Sequence, residues 1–133
     1  MKQIDTAYIV DDDKLYTHVL SKQMKRINFS RTTMTFQNGL EALTYLQPKL
    51  HLPDDLPSVI LLDLNMPVLD GFQFLDEYAK LDPIKKITIY VVSSSIDVAD
   101  HVKVLTYETV TNFYLKPVRE ADLLKIRNEV VAD

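Results

Sequence analysis

Reactive side chains follow four of the apolar segments of this chain. They are, in order, Asp11 with Asp12 and Asp13, then Asp63, then Ser93 with Ser94, and finally Lys116 before Pro117. Each has an ordinary explanation when taken singly, because Asp and Ser often form turns and helix N-caps after strands. Together, a carboxylate, further acids, a hydroxyl and a lysine are the groups that phosphoryl transfer to a carboxylate requires. The sequence therefore predicts a phosphoryl-transfer site if these segments meet.

The acidic residues also predict a metal ion. If their strands are neighbours, Asp11, Asp12 and Asp63 bring about three negative charges together, and like charges ~4 Å apart repel by several kcal/mol at intermediate dielectric. A divalent cation and Lys116 would together balance that charge. Carboxylates, water and a backbone carbonyl are ligands that suit Mg²⁺, and Mn²⁺ accepts the same donors. We therefore expect Mg²⁺ or Mn²⁺ as the cofactor.

The elements that must position these residues alternate along the chain. Five short β-rich segments are each followed by a helix-like one, which is typical of an α/β domain built on a parallel sheet. The predicted strands are residues 4–10, 31–36, 58–62, 86–92 and 111–115. The carboxyl ends of such strands meet at one edge of the sheet, where ligands bind. The four reactive segments are therefore expected to converge there.

Apolar residues recur at helical spacing in the intervening segments, and these stripes are predicted to face the core. They comprise Tyr16, Leu20, Met24 and Ile27; Leu43 and Leu46; Phe72, Leu75 and Ala79; Val98, Val102 and Leu105; Leu123, Ile126 and Val130. Asn38, and either Ser95 or Asp97, are predicted N-caps. The proline-containing segment 47–57 is expected to be a loop, and a tolerated insertion is favoured over a partner-binding excursion.

The composition restricts the class of protein. With 133 residues the chain has the size of one domain, and 47% hydrophobic with 26% charged residues predicts that all of it folds. The absence of Cys excludes thiolate metal sites, and two Gly are too few for a glycine-rich phosphate loop. No apolar run approaches the ~20 residues that span a bilayer, so no membrane insertion and a cytoplasmic location are expected. A net charge of −4 without a basic cluster argues against a nucleic-acid partner.

One segment resembles a known family. The string LLDLNMPVLDGFQFL at residues 61–75 is similar to the phosphoacceptor segment of response-regulator receivers, and IVDDD, SS and LKP match further motifs of that family in order. The resemblance covers essentially the whole chain. It implies a doubly wound (βα)5, flavodoxin-like three-layer sandwich with a five-stranded parallel sheet in the order 2-1-3-4-5. It also implies a single receiver domain at residues 1–133, with no output domain expected.

The resemblance assigns the acceptor and the metal ligands. Asp63 resembles the phosphorylated residue, and Asp11 and Asp12 resemble the acidic pair. In this family the second acid of the pair binds the metal directly and the first acts largely through water. Asn65 resembles the residue whose backbone carbonyl completes the metal site together with Asp63. Asp13 falls outside the matched pair and is expected to be an exposed loop acid.

The resemblance also assigns the residues that contact and report the phosphoryl group. Ser93 matches the hydroxyl that hydrogen-bonds a phosphoryl oxygen, and Lys116 matches the cation that contacts it. The bond from Lys116 to Pro117 is cis in many relatives. Phe113 stands where a switch Tyr or Phe is found. The chain departs from the family pattern at Thr109 and Val110, where Gly-Ala is usual, and at Ser94, where a smaller residue is usual. The histidines are expected at surface or partly buried positions: His18, His51 and His101.

The function that the resemblance implies is that of a response regulator in two-component or phosphorelay signalling. Its phosphoryl donor would be a histidine kinase or a histidine phosphotransferase. Its output would be contact with a downstream effector protein through the fourth helix, fifth strand and fifth helix. It would be a monomer or a weak homodimer, and a self-phosphorylating and self-dephosphorylating acceptor instead of a turnover enzyme.

Three alternative functions compete with this interpretation. A degenerate receiver would act only as a protein-binding module, but the complete set of acids, hydroxyl and lysine argues against it. A small Mg²⁺-dependent aspartyl-phosphate phosphatase of the haloacid-dehalogenase type needs a second Asp two residues after the nucleophile, where this chain has Asn65. The receiver half of a DNA-binding regulator is disfavoured by the length of the chain.

Overall fold

The computed structural model describes residues 3–132 and contains a five-stranded sheet in the order β2-β1-β3-β4-β5. Every neighbouring pair of strands is parallel. The strands are β1 (Ile4–Val10), β2 (Ser30–Phe36), β3 (Val59–Leu62), β4 (Thr88–Ser93) and β5 (Val110–Leu115). The predicted flavodoxin-like order is confirmed, and the predicted strand bounds are within two residues of the observed ones. Residues 1, 2 and 133 of the predicted domain lie outside the described part of the chain.

Helices cover both faces of the sheet. They are α1 (Lys14–Arg26), α2 (Gly39–Leu46), α3 (Gly71–Tyr78), α4 (Val98–Val104) and α5 (Glu120–Val131). Helices α1 and α5 bury their apolar faces in one core cluster, and α2, α3 and α4 contribute to the cluster on the other face. Strand β3 lies between the two cores and is buried along its whole length, as expected for a central parallel strand. Within the described residues, no helix is long and apolar enough to cross a membrane.

Side-chain caps fix where the helices begin. Asn38 caps α2 as predicted, and of the two candidates for α4 it is Asp97 that accepts from a helical amide. Asp70 caps α3 in a reciprocal capping box with Gln73. Asp13 is exposed but is more than the loop acid that was predicted, because its carboxylate accepts from the Tyr16 amide and caps α1. The three consecutive acids after β1 therefore do not share one role.

The prediction that the α4 stripe faces the core is wrong. Val98, Val102 and Leu105 are 73%, 61% and 58% exposed. The helix instead packs through Val104, which is fully buried, and half-buried His101 one turn earlier. Periodicity identified the helix but could not show which of its faces meets the sheet. Helix α4 therefore presents an apolar surface to solvent.

The segment 47–57 is more ordered than the predicted loop. It contains two short 3-10 turns, at Gln47–Lys49 and Pro53–Asp55. Its Leu56 is 1% exposed and belongs to the core cluster that also contains α2 and α3. The Leu50 carbonyl accepts from the Ile84 amide at 2.8 Å. The segment is thus packed against the fold and not a free excursion.

Two non-glycine residues of the described chain have positive φ, Asn28 at 54° and Val68 at 69°. Neither lies between α4 and β5, where Gly-Ala is usual in the family and this chain has Thr109 and Val110. The chain instead enters β5 through a hydrogen bond from the Val110 amide to the Tyr107 carbonyl at 3.1 Å. A register irregularity in the β4–β5 pairing lies opposite this entry, between Ile89 and Tyr90.

Candidate functional site

The predicted acidic residues converge at the carboxyl edge of the sheet. Strands β1 and β3 are neighbours, and the Asp63 amide continues their ladder by donating to the Val10 carbonyl at 2.9 Å. Carboxylate oxygens of Asp11, Asp12 and Asp63 all lie within 4.8 Å of one another. Asp11 and Asp63 are buried, whereas Asp12 is exposed at the mouth of the site. The prediction that the three acids meet is confirmed.

Lys116 supplies the positive charge from β5. Its Nζ lies 2.8 Å from Asp11 Oδ2 and 3.5 Å from Asp63 Oδ2. The ammonium is therefore closer to the first acid of the pair than to the predicted acceptor. One half-buried cation between two buried carboxylates leaves a net negative charge on this part of the site.

The approach of Lys116 is fixed by contacts that the sequence did not predict. Its Nζ lies 4.6 Å from the centroid of the Tyr16 ring, a cation–π contact from α1. The hydroxyl of Tyr16 also accepts from the Val118 amide at 3.3 Å, two residues beyond Lys116. The intervening Lys116–Pro117 bond is cis, as the family resemblance implied. In the sequence Tyr16 is indistinguishable from an ordinary core position of its helical stripe.

Ser93 lies at the end of β4 and is fully buried. Its carbonyl accepts from the Lys116 amide at 2.9 Å, which ties the ends of β4 and β5 together. Its Oγ accepts from the Ser95 amide at 3.2 Å. Ser94 is exposed beside it. The structure thus places the predicted hydroxyl on the strand next to the one that carries Asp63.

The loop after Asp63 is shaped by a close approach of Gly71. Asp63 Oδ1 accepts from the Leu64 amide at 2.8 Å, and the Leu64 carbonyl accepts from the Gly71 amide at 2.9 Å. A Cβ on Gly71 would lie 2.4 Å from the Asp63 carbonyl oxygen and 2.7 Å from Leu64 Cα. Only glycine fits here, which accounts for the Asp-Gly pair that begins α3. The sequence alone does not predict this contact with Asp63, because it depends on the tertiary fold.

The remaining predicted residues flank this centre. Asn65 is exposed two residues beyond Asp63, and the role of its backbone carbonyl as a metal ligand stays a prediction. Phe113 is half-buried on β5, where it packs against the core and against the ring of His101 with centroids 4.0 Å apart. Its role as a switch also stays a prediction.

Burial and neighbouring charges shift the pKa values of Asp63 and Lys116. Burial, with a further contribution from the Asp11 carboxylate, raises the pKa of Asp63 to about 6, although Lys116 opposes the shift. Burial acts to lower the pKa of Lys116, but its hydrogen bond to Asp11 and the nearby Asp63 carboxylate outweigh it and raise that pKa. The lysine stays charged, and the carboxylates carry an excess of negative charge that a cation would relieve.

The donor set fits a hard divalent ion. Asp11, Asp12 and Asp63 offer only carboxylate oxygens, the ligands that Mg²⁺ and Mn²⁺ prefer, and their mutual distances are compatible with one ion. Among the described residues, this is the one group of three or more His, Cys, Asp or Glu side chains with suitably close ligand atoms.

Comparison with known proteins identifies the family of this chain and agrees with its fold. A family model for the response regulator receiver domain matches residues 7–128, so the chain belongs to the response regulator receiver domain family. Response regulator Rcp1 of Synechocystis sp. is 29% identical over 120 residues, which cover 89% of this chain and 80% of that protein. Receiver domains act in two-component signalling, where they interact with histidine kinases and effectors.

Solved structures show the same architecture. A two-component response regulator from Cytophaga hutchinsonii has a TM-score of 0.89 at 23% identity, covering 99% of this chain and 100% of its own. The Mn²⁺-bound form of Rcp1 has a TM-score of 0.71 at 25% identity, covering 92% of this chain and 88% of its own. The recognition of the family from the sequence motifs is confirmed.

Proposed function

We propose that this protein is a response regulator that accepts a phosphoryl group on Asp63 in a reaction that depends on Mg²⁺ or Mn²⁺. The donor is the phosphohistidine of a histidine kinase or a histidine phosphotransferase. The observation that carries the proposal is the burial of Asp63 at a strand end, beside a second carboxylate, Asp11, and the ammonium of Lys116 that contacts both. Such a donor draws on ATP, so we place the protein in the cytoplasm.

The transfer is a single displacement at phosphorus. A carboxylate oxygen of Asp63 attacks, its bond to phosphorus forms as the bond to the donor imidazole nitrogen breaks, and the imidazole leaves. The Leu64 amide fixes the orientation of the attacking carboxylate, and Lys116 lies beside it to offset charge on the phosphoryl oxygens. The hydroxyl of Ser93 is the donor for a further phosphoryl oxygen.

The metal would be held by Asp11, Asp12 and Asp63, with the Asn65 carbonyl as a further ligand by family resemblance. When bound, it neutralises charge on the phosphoryl group and on the carboxylates around it. The protein is itself the acceptor, so each molecule takes up one phosphoryl group and releases it by hydrolysis. We therefore propose that it is not a turnover enzyme.

Two surfaces suit protein partners. Leu15 and Val19 of α1 are 75% and 53% exposed and flank Tyr16, which contacts Lys116, so a protein donor that reaches Asp63 would cover them. The exposed side of α4 and the neighbouring end of β5 form a second apolar surface, with Val102 and Leu115 exposed. We propose that the downstream effector, or a second copy in a weak homodimer, binds this second surface.

Incubation with acetyl phosphate and Mg²⁺, followed by intact mass measurement, tests the proposal. Native protein is expected to gain one phosphoryl group, to lose the gain in chelator, and to gain none as Asp63→Asn. Asp13→Asn is the matched control, since Asn also caps a helix and the Asp13 side chain is not one of the three carboxylates that converge. It should be labelled like the native protein. Undiminished labelling of Asp63→Asn would show that another residue is the acceptor, and no labelling of the native protein would favour a degenerate binding module.

A further inference from the structure

His101 joins the loop after β4 to the ring of Phe113. Its Nε2 lies 2.8 Å from the Ser95 carbonyl oxygen. Because a carbonyl only accepts, the Nε2–H must be the donor. On its other side the imidazole stacks on Phe113 with ring centroids 4.0 Å apart and an interplanar angle of 31°. Both residues are half-buried, so the contact is partly protected from water.

The same loop is tied to the phosphoacceptor site. The Ser95 amide donates to Ser93 Oγ at 3.2 Å, and Ser95 Oγ donates to Asp100 Oδ2 at 2.7 Å. Ser95 is thus hydrogen-bonded to the side chain of Ser93, the predicted phosphoryl-binding hydroxyl. It is also hydrogen-bonded to two consecutive residues of α4, Asp100 and His101. A continuous series of contacts runs from Ser93 through Ser95 and His101 to Phe113.

We propose that His101 is a latch that holds Phe113 in its resting position and releases it when Asp63 is phosphorylated. This inference rests on the proposed function. When a phosphoryl oxygen draws Ser93 towards Asp63, the hydrogen bond at Ser93 Oγ carries Ser95 with it. The Ser95 carbonyl then leaves the His101 Nε2–H, and the imidazole no longer fixes the Phe113 ring. His101 is a positioning residue in this scheme and takes no part in the chemistry.

A latch of this kind has a measurable linkage. The bond from His101 to Ser95 belongs to the resting conformation, so it stabilises that conformation against the activated one. Removing it shifts the equilibrium towards the conformation that binds a phosphoryl group best. Reciprocity of coupled equilibria then requires a higher affinity for a phosphoryl mimic at Asp63, by about two- to tenfold for one partly buried hydrogen bond.

The test titrates beryllofluoride, with Mg²⁺ present, into native protein, His101→Phe and His101→Ala, and follows amide chemical shifts. His101→Phe keeps an aromatic ring against Phe113 but lacks the donor, and His101→Ala lacks both. Thr106→Val is the matched control, because it removes a different side-chain hydrogen bond of the α4 end, from Thr106 to the Lys103 carbonyl.

We expect both His101 variants to bind beryllofluoride about two- to tenfold more tightly than native protein, and Thr106→Val to bind like native protein. Without beryllofluoride, the Phe113 amide resonance of His101→Phe should already be displaced towards its position in the beryllofluoride-bound native protein. A merely structural role would not displace it in that direction.

Unchanged or weaker affinity in both His101 variants would overturn the latch, as would equal tightening in Thr106→Val. Those outcomes leave the proposed function intact, because the native protein still binds the mimic at Asp63. Failure of native protein to bind beryllofluoride at all would instead contradict the proposed function and the latch together.

Discussion

Asp63 is held as a carboxylate where the fold disfavours its charge. It is buried, Asp11 lies beside it, and Lys116 is shared between the two. Its pKa of about 6 expresses that unfavourable environment. The proposed acceptor is thus destabilised in the resting protein, and a cation, or a phosphoryl group with its metal, would stabilise it. Stability without metal is therefore lost at the residue that is proposed to accept the phosphoryl group.

Asp63→Asn should consequently stabilise the protein in chelator. The pKa in the folded state lies above the ordinary value, so the favourable contribution of Asp63 is fully present below about pH 4 and is lost as the pH rises through about 6. Asn cannot ionise and keeps that contribution. We expect a gain in the free energy of unfolding of about 1 kcal/mol near pH 7.5, which shrinks towards zero near pH 4. Urea unfolding in EDTA at several pH values measures it.

Added Mg²⁺ should reverse the order of stability of native protein and Asp63→Asn. Native protein should gain stability through the mass-action effect of a ligand that binds only the folded state, and Asp63→Asn should gain less. Asp13→Asn, which keeps the α1 cap, should follow the native protein in both conditions. If Asp63→Asn is less stable than native protein in EDTA, or if Mg²⁺ leaves the native midpoint unmoved, the acids do not interact as the structure indicates.

At the scale of elements, the turn between β3 and α3 contains a strained residue. Val68 has φ of 69°, and the amide of Leu69 donates to the carbonyl of Pro67 at 2.8 Å, which closes a γ-turn around it. A β-branched residue is disfavoured in this region of backbone space. The Val68 side chain is 70% exposed, so burial offsets little of that cost.

Val68→Gly is therefore expected to raise the free energy of unfolding by about 0.5–1 kcal/mol, the relief of strain less the larger entropy of glycine in the unfolded chain. Val68→Ala is the matched control. It keeps a Cβ and should gain less. Thermal or urea unfolding of the three proteins decides the matter, and a Val68→Gly protein less stable than native would show that the turn is not strained.

Much of the element structure could be predicted because its signals are local. The buried strand β3 is a continuous apolar run, and Asn38 precedes its helix in the usual capping position. The convergence of Asp11 and Asp63 could also be predicted, because neighbouring parallel strands have their carboxyl ends at the same edge of the sheet. The features that the sequence did not predict depend on how the elements pack together in the tertiary structure. Periodicity locates α4 without showing that Val102 faces solvent, and no pattern shows that the Gly71 backbone approaches the Asp63 carbonyl.

The site residues that were missed share the same cause. Tyr16 matters because Lys116 crosses its ring, and His101 matters because it lies between Ser95 and Phe113. Each lies on a different element from the residues that it contacts. Sequence spacing identifies the groups that do chemistry, whereas the groups that orient them are defined only by packing.

At the scale of the whole molecule, the site and the exposed surface of α4 are connected through β4 and β5. Ser93 ends β4, Phe113 lies on β5, and Lys116 directly follows β5, which pairs with β4 up to that end. On the other face of the sheet, α1 and α5 pack on a separate apolar cluster. A change at Asp63 is therefore expected to spread towards α4 and β5 and not evenly through the fold.

Beryllofluoride binding to native protein should show this direction. If Ser93 moves towards the mimic, Phe113 gains room to follow, and a pre-existing equilibrium between two conformations shifts on the α4–β5 surface. Amide chemical shifts should change at residues 102–114 as well as around Asp63. They should change little at the opposite edge of the sheet, for example at Asn28, which precedes β2, and at Arg31 within β2, which serve as internal controls. Changes confined to the pocket, with residues 102–114 unmoved, would contradict signalling through this surface, because a partner bound there could not distinguish the phosphorylated protein from the resting one.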